Sequence, residues 1–164
     1  MTRIELEGVS KSFASREGRL EVLDGISLSV QPGEFVSILG PSGCGKSTIF
    51  SLLTGIEPGD GGTLLADGEP IGAGEQRFAW MPQDDVLFPW RTVLGNVALG
   101  AEVGAGLSRS AARARALELL PTFGLEEFAD SRPFQLSGGM RQRAALARTV
   151  AQGHDVLLLD EPFG

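Results

Sequence analysis

A glycine-rich stretch that begins at position 40 limits the possible folds of this chain more than any other feature. It matches the pattern G-x-x-x-x-G-K-[ST] and consists of Gly40, Pro41, Ser42, Gly43, Cys44, Gly45, Lys46, Ser47 and Thr48. The apolar run Phe35–Leu39 precedes it, and a helical pattern from Lys46 to about Leu53 follows it. Glycines allow positive φ and a close approach of the backbone, so that consecutive amides converge on phosphate oxygens at a positive helix end. The stretch therefore predicts a phosphate-binding loop between a buried strand and a helix.

Two side chains of this loop have predicted roles toward a nucleoside triphosphate such as ATP. Lys46 is expected to reach the β- and γ-phosphates, and the Ser47 hydroxyl is expected to ligate Mg²⁺. Cys44 is interpreted as a filler position. The loop by itself leaves kinases, GTPases and ATPases open, so other residues must choose among them.

Charge and composition exclude several classes of protein. The 164 residues, enough for one domain, carry 14 basic and 21 acidic side chains and a net charge of −7, which argues against a nucleic-acid partner. The single cysteine excludes an internal disulfide, and the sequence contains neither an apolar leader nor an apolar run long enough to cross a bilayer. The sequence is therefore typical of a cytosolic protein, and a partner would have to provide any membrane span.

The order of predicted elements is typical of an α/β protein. Residues 4–9 and 26–30 alternate between apolar and polar, which predicts antiparallel strands on either side of a polar loop at 14–18. Further short strands are predicted at 63–66 and 77–81.

The second half of the sequence is mainly helical. From about residue 91 to 153 the pattern predicts helices, one of which ends near Leu120 because Pro121 follows. A second helix runs over 137–152, carries a narrow face of small residues and is closed by Gly153. The run 155–159 then predicts a buried parallel strand.

Two further motifs, in the right order, carry a resemblance to a known family. The string Leu136-Ser137-Gly138-Gly139-Met140-Arg141-Gln142-Arg143 resembles the signature of ATP-binding cassette (ABC) ATPases, and Val156-Leu157-Leu158-Leu159-Asp160-Glu161-Pro162 resembles their Walker B segment. Gln83 stands at the place of their Q-loop glutamine. The resemblance implies a P-loop NTPase fold with an antiparallel β-subdomain, a RecA-like core that is incomplete at its C-terminal end, and a helical subdomain. The corresponding expectation is one domain over 1–164, with its parts at 1–90, 91–153 and 154–164.

The resemblance also implies catalytic and metal-binding roles. Asp160 would hold the hydration shell of Mg²⁺, Glu161 would position and deprotonate the attacking water, and Gln83 would offer a carbonyl to the metal. The alternative interpretation of Asp160 and Glu161 is an ordinary acidic end of a strand, and that of Gln83 is a solvated loop residue.

The signature residues imply a dimer. Ser137 as an N-cap with two glycines after it leaves helix amides that favour an anion. In the family, the residues at Ser137, Gly138, Gly139 and Gln142 cover the nucleotide of a second copy, so a head-to-tail homodimer is expected. The alternative is a plain serine cap on a surface helix.

Phe13 is a candidate for contact with the adenine ring. The string Val9-Ser10-Lys11-Ser12-Phe13 resembles the family's A-loop, whose aromatic residue stacks on the base. The alternative is a phenylalanine in the small core of the antiparallel sheet.

The segment 81–93 points to a branch of the family. Its Phe88-Pro89-Trp90-Arg91-Thr92-Val93 run is similar to cassette ATPases of importers, especially those of the nitrate, sulfonate and taurine branch. An apolar, aromatic loop directly after Gln83 is suited to receive a helix of a membrane partner. The alternative is a buried staple of Leu87, Phe88 and Trp90 at a helix start. Arg109, Arg113 and Arg115 are interpreted as a solvated helix face.

The implied function is that of the ATPase subunit of an importer for a small anionic or sulfonate-type solute. Its partners would be a second copy, permease subunits and, indirectly, a solute-binding protein, at the cytoplasmic face of the membrane. Alternatives are a soluble cassette ATPase of DNA repair or translation, and a non-catalytic nucleotide-binding remnant.

The sequence stops at Gly164, directly after the Walker B segment. The family's D-loop and switch histidine follow that segment, and His154 precedes it. The sequence leaves open whether the chain is a fragment or the product of a truncated gene. The expectation for the 164 residues alone is weak nucleotide binding and negligible ATP turnover.

Overall fold

A long hairpin occupies the first 30 residues of the computed structural model, which describes residues 2–16, 18–72 and 77–162. Strand β1 is Ile4–Ser15 and strand β2 is Gly18–Val30, and they pair antiparallel from Ile4 opposite Val30 to Ser15 opposite Gly18. The predicted strands at 4–9 and 26–30 are confirmed. The predicted loop at 14–18 is too long, because cross-strand pairing continues almost to the tip of the hairpin.

Two shorter strands complete this sheet. Strand β3 is Gly61–Ala66 and strand β4 is Glu69–Pro70, and the strand order is β2-β1-β3-β4 with every pair antiparallel. Helix α1 is Lys46–Leu53. The predicted strand at 63–66 and the predicted helix are both confirmed. The glycine turn is a local signal for the helix, whereas β3 also depends on its pairing with the distant strand β1.

The prediction of a buried strand at Phe35–Leu39 is wrong. These residues have no strand assignment, and the side chains of Phe35 and Leu39 are 90% and 88% exposed. A buried parallel strand requires neighbours that pair its amides and carbonyls on both edges. The described strands of this part of the chain, β1 to β4, pair only with one another. The apolar composition of the run is therefore not sufficient to make it a strand.

The chain divides into two compact units, Met1–Arg77 and Phe78–Gly164. In the second unit strand β5, Ala79–Met81, pairs in parallel with strand β6, Leu157–Leu159. The expected parallel strand before the acidic residues is confirmed, although both strands are shorter than predicted. Its predicted burial holds for Leu158 and is wrong for Leu157, which is 41% exposed. The finer subdivision at residues 90 and 153 stays a prediction.

Three α-helices fill the second unit between its strands. They are α2, Val93–Val103, α3, Arg109–Leu119, and α4, Gly138–Ala151, and short 3-10 turns lie at Leu120–Phe123, Glu126–Phe128 and Pro133–Gln135. Helix α3 ends just before Pro121, and Gly153 has φ 77° beyond α4, both as predicted. No helix in the described parts of the chain combines the length and the apolar character that crossing a bilayer requires.

The small face of α4 lies in the core of this unit. Ala144, Ala147 and Ala151 are fully buried, and Met140 packs against the same cluster, so the predicted narrow face is confirmed. Small residues allow α2 to approach α4 closely. A Cβ added at Gly100 of α2 would lie 2.0 Å from the Arg148 carbonyl oxygen.

We expect Gly100→Ala to destabilise the protein by about 1–3 kcal/mol, because the added methyl group would force the two helices apart. This corresponds to a fall in Tm of roughly 2–4 °C per kcal/mol, measured by thermal denaturation. Gly95→Ala in the same helix is the matched control, since its Cβ would meet nothing closer than 3.3 Å. The control should change stability by less than about 1 kcal/mol. Equal effects of the two changes would contradict the close helix contact.

Candidate functional site

The glycine-rich loop packs against β2 at Gly45, a position that requires glycine. Gly45 has φ 96°, and a Cβ there would lie 2.9 Å from Leu23 Cδ2 and 3.1 Å from the Val22 carbonyl oxygen. Gly43 also has positive φ, at 82°. The loop therefore adopts the left-handed conformations that the motif predicts, and it lies directly beside the hairpin.

Helix α1 begins at this loop without a side-chain cap. Gly45 is its N-cap residue, whereas Thr92, Ser108 and Ser137 cap the other three α-helices of the described chain with side-chain oxygens. The amides in the first turn of α1 consequently face outward with the positive end of the helix dipole, which suits an anion.

Lys46 brings a full positive charge to the same place. Its Nζ donates to the Gly40 and Pro41 carbonyls at 2.9 and 3.0 Å and lies 4.0 Å from Cys44 Sγ. The remaining predicted residues of the loop are placed around it: Ser42, Gly43 and Ser47 are exposed, and Thr48 is half-buried. The structure thus brings the predicted phosphate-binding residues together in the first unit.

Phe13 lies near the tip of the β1–β2 hairpin, half-buried and paired with Leu20. The Lys11 Nζ is 4.9 Å from the centroid of its ring. A shallow open cleft of about 400 Å³ lies at this tip and is lined by Ser12, Phe13, Ala14, Gly18, Arg19 and Asp60. The Phe13 ring is less buried than a core residue and less exposed than a free surface residue. Its burial fits both the adenine contact and a position at the margin of the sheet's small core.

Asp60 fastens the hairpin tip. Hydrogen bonds from Ser12, followed by those from Arg19, lower the pKa of the Asp60 carboxyl from 3.8 to about 2. Because the folded-state pKa is lowered, this carboxylate stabilises the fold above pH 3.8 and loses that effect as the pH falls through about 2. The tip is therefore held by a charged network at neutral pH.

In the second unit, the structure brings the predicted general base and the predicted Q-loop glutamine into contact. Gln83 Nε2 donates to Glu161 Oε2 at 2.9 Å. Glu161 has φ 50°, a left-handed backbone directly after β6, and its side chain is exposed. Asp160 is 4% exposed, and its amide donates to the Met81 carbonyl at 2.9 Å. Gln83 and Glu161 are 78 positions apart in the sequence, so no local pattern could predict their contact.

The signature residues lie at the start of α4. Ser137 Oγ accepts a hydrogen bond from the Met140 amide at 3.3 Å, so the predicted cap is present, and Gly138 and Gly139 are exposed. Gln142 differs from them, because its side chain is half-buried and donates to the Gln83 carbonyl of its own chain at 3.5 Å.

Two arginines of α4 hold the loop that follows Gln83. Arg141 Nε lies 3.0 Å from Asp85 Oδ2, and Arg148 donates to the Asp85 and Val86 carbonyls at 2.9 and 2.7 Å. Burial lowers the pKa of Arg148, and the charge of Asp85 opposes that shift. The signature helix and the Q-loop are therefore joined by charge-assisted hydrogen bonds.

In the aromatic segment after this loop, hydrogen bonds hold the backbone, while two aromatic side chains are exposed to solvent. Leu87 is buried, whereas Phe88 and Trp90 are 36% and 67% exposed, with ring centroids 5.2 Å apart. The buried-staple alternative is therefore wrong for Trp90 and holds only for Leu87. Asn96, fully buried in α2, binds the Phe88 amide at 2.8 Å and the Phe88 carbonyl at 3.2 Å.

Three polar residues described above have no role in the sequence-based predictions: Lys11 in the first unit, and Asn96 and Arg148 in the second. A polar Asn within the apolar start of α2 is a signal that could have indicated a buried hydrogen-bonding role. Arg148 gives no such signal, since arginines in a last helical turn are usually solvated. Of the arginines predicted to be solvated, Arg109 and Arg113 are exposed, but Arg115 donates to the Ala151 carbonyl at 3.3 Å.

Comparison with known proteins decides the family. A profile described as "ABC transporter" matches residues 23–164, which is most of the chain. The chain belongs to the ABC transporter family. The resemblance of its signature and Walker B segments to this family is thereby confirmed, as is the predicted fold class.

Curated ABC relatives match the chain from end to end. It is 46% identical to the taurine import ATP-binding protein TauB of Pseudomonas aeruginosa PAO1, a match that covers 100% of this chain and 62% of TauB. It is 43% identical to the uncharacterized ABC transporter ATP-binding protein YtlC of Bacillus subtilis 168, over 99% of this chain and 62% of YtlC. The chain thus spans about 62% of the length of these relatives.

A solved ABC structure has the same fold. The ATP-binding cassette MJ0796, in a dimeric post-hydrolysis state bound to ADP and Pi, superposes with a TM-score of 0.85 at 33% identity. The match covers 98% of this chain and 74% of that cassette. The similarity extends over both units, each of which has its counterpart in the cassette.

Proposed function

We propose that this chain is the ATP-binding and ATP-hydrolysing part of an ABC importer subunit. The proposal rests on the loop at the start of α1. Uncapped helix amides, positive-φ glycines and the Lys46 ammonium come together there. This combination is suited to a triphosphate and to few other ligands. Membership in the ABC family supports ATP as that triphosphate.

The loop would bind the phosphates through its backbone and one cation. The Lys46 ammonium would exchange its bonds to the Gly40 and Pro41 carbonyls for the β- and γ-phosphate oxygens. Phe13 would stack on the adenine ring from the neighbouring hairpin.

Each unit offers oxygen donors of the kind that Mg²⁺ binds. In the first unit Ser47 provides an exposed hydroxyl, and in the second unit Asp160 provides a carboxylate and Gln83 an amide oxygen, all hard oxygen ligands. The described residues contain no cluster of three or more His, Cys, Asp or Glu side chains that could hold a metal ion. When bound, Mg²⁺ would neutralise charge on the β- and γ-phosphate oxygens.

Glu161 is the proposed general base for the attacking water. The Gln83 amide binds its carboxylate at 2.9 Å, which fixes one oxygen and leaves the other for the water proton. Because the Q-loop is tied to α4 by Arg141 and Arg148, movement of the signature helix would displace Gln83 and with it the base. Hydrolysis would then depend on the position of the helical part.

A second copy of the chain is the proposed partner at the signature residues. Ser137, Gly138 and Gly139 are exposed at the positive end of α4, where they could contact the γ-phosphate bound by another subunit. The dimeric state of the cassette MJ0796 supports this arrangement.

We expect Ser137→Arg to leave ATP binding by the monomer intact and to prevent ATP-dependent dimerisation of a cassette completed to the length of its relatives. The bulky cation would occupy the space of the second copy's γ-phosphate. Light scattering with and without ATP measures the effect, and Ser131→Arg outside the signature serves as control. ATP-induced dimers that survive the change would contradict the shared site.

The proposed membrane contact is the aromatic segment at Phe88 and Trp90. Trp90 is 67% exposed, yet Asn96 binds the Phe88 backbone and Arg148 binds the Val86 carbonyl, so the two rings form an apolar projection on a fixed backbone. Such a projection suits a helix of a permease at the cytoplasmic face of the membrane. The taurine importers among the relatives favour a small sulfonate as the solute, delivered by a solute-binding protein.

Coexpression with the permease subunits tests the importer function. We expect Trp90→Ser, in a completed cassette, to abolish copurification with the permease while ATP binding is retained. Phe134→Ser is the matched control, because Phe134 is 74% exposed and lies outside the Q-loop segment. Copurification that survives Trp90→Ser would refute this docking site, and absence of any permease complex with the parental cassette would refute the importer function.

A further inference from the structure

Lys11 is a buried cation that has no assigned role in the nucleotide site described above. It is 6% exposed, in contrast to the other lysine of the chain, Lys46 of the phosphate loop. Burial of an ammonium is costly unless its three N–H groups find partners. The position of Lys11 therefore requires an explanation.

The partners of Lys11 hold its ammonium against an aromatic ring. Nζ donates to the Pro58 carbonyl at 2.7 Å and lies 3.3 Å from Glu57 Oε2. It also lies 4.9 Å from the centroid of the Phe13 ring, within the range of a cation–π interaction. The segment after α1 thus aims the ammonium at one face of Phe13, and a nucleobase could stack only on the other.

The same strand register places this ring beside the phosphate-binding loop. Lys11 pairs with Leu23, and Leu23 is the side chain against which Gly45 packs. Phe13 is two residues further along β1, roughly 7 Å at the rise of a strand. The candidate base contact and the packing site of the phosphate-binding loop therefore lie on one and the same hairpin.

We propose that Lys11 is a positioning residue for base recognition. It fixes the orientation of the Phe13 ring and withdraws π-electron density toward its own face, so that the opposite face stacks more strongly on the electron-rich adenine. The inference rests on the proposed function, since it requires that Phe13 contacts the base.

Two ligands separate base recognition from phosphate binding. Titration calorimetry of the 164-residue chain with ATP and with inorganic tripolyphosphate, both with Mg²⁺, gives a ratio of dissociation constants. We expect Lys11→Met to weaken ATP binding about three- to fivefold and to leave tripolyphosphate binding unchanged. Phe13→Ala should weaken ATP binding by about tenfold, again without an effect on tripolyphosphate. Lys11→Arg should restore the parental ratio, and Arg3→Met, which removes another ion-paired cation just before β1, should not change it.

A double variant tests whether Lys11 acts through the ring. In the Phe13→Ala background, Lys11→Met should cause no further change of the ratio. If Lys11→Met weakens the binding of ATP and of tripolyphosphate equally, through misfolding or displacement of the loop, then Lys11 has a purely structural role. That result overturns the inference. An unchanged ratio in Lys11→Met alone also overturns it and leaves the base contact intact. An unchanged ratio in Phe13→Ala refutes the base contact itself, and absence of ATP binding by the parent chain refutes the proposed function.

Discussion

Lys46→Ala is expected to weaken binding of ATP by about 100-fold or more. The side chain supplies the one full positive charge of the phosphate-binding loop, in a chain with a net charge of −7 that otherwise repels a triphosphate. Its present bonds to the Gly40 and Pro41 carbonyls show that the ammonium already lies over the loop, so little reorganisation is needed to reach the phosphates. Titration calorimetry with ATP and Mg²⁺ measures the effect.

Arg109→Ala is the charge-matched control for this change. Arg109 is exposed at the start of α3, so its removal alters the net charge equally without touching the loop. The control should retain the parental affinity. Equal losses in both variants would mean that the net charge of the chain governs binding, and unchanged affinity in Lys46→Ala would refute the phosphate-binding assignment.

Glu161→Gln is expected to slow ATP hydrolysis by roughly 10² to 10⁴ in a cassette completed to the length of its relatives, while ATP binding is retained. The amide has nearly the shape of the carboxylate and can still accept the hydrogen bond from Gln83 Nε2, now 2.9 Å from Glu161 Oε2. The geometry is therefore preserved, and only the capacity to take a proton from water is lost. Phosphate release at saturating ATP measures the rate.

Asp84→Asn is the matched control for the general base. Asp84 is an exposed carboxylate beside Gln83, so the change removes one negative charge close to the same contact. Its rate should stay within a few-fold of the parental rate. A Glu161→Gln cassette that turns over at the parental rate would assign the base to another residue.

Several features of this protein could be predicted from short stretches of sequence. The glycine turn and helix α1, the Ser137 cap, the end of α3 before Pro121 and the left-handed Gly153 all depend on residues within a turn or two of each other. Caps, prolines and positive-φ glycines act through the local backbone, and their consequences need no distant partner. The order of the motifs likewise identified the family.

Other features were decided only by tertiary structure. The apolar run at Phe35–Leu39 suggested a buried strand, but a strand exists only where neighbouring strands satisfy its backbone, and none of those described in its unit pairs with it. The contact between Gln83 and Glu161 depends on the parallel pairing of β5 with β6, which brings the ends of two distant segments together.

The contacts of buried charged and amide side chains were likewise decided only by tertiary structure. The contacts of Lys11 with Pro58, of Asn96 with Phe88, and of Arg148 with the Q-loop join segments whose spacing follows no helical or strand period. Residue type alone predicts a solvated side chain at each of these positions, because polar groups are usually exposed. Only the packing of the surrounding elements removes water from them, and they must then find partners within the protein.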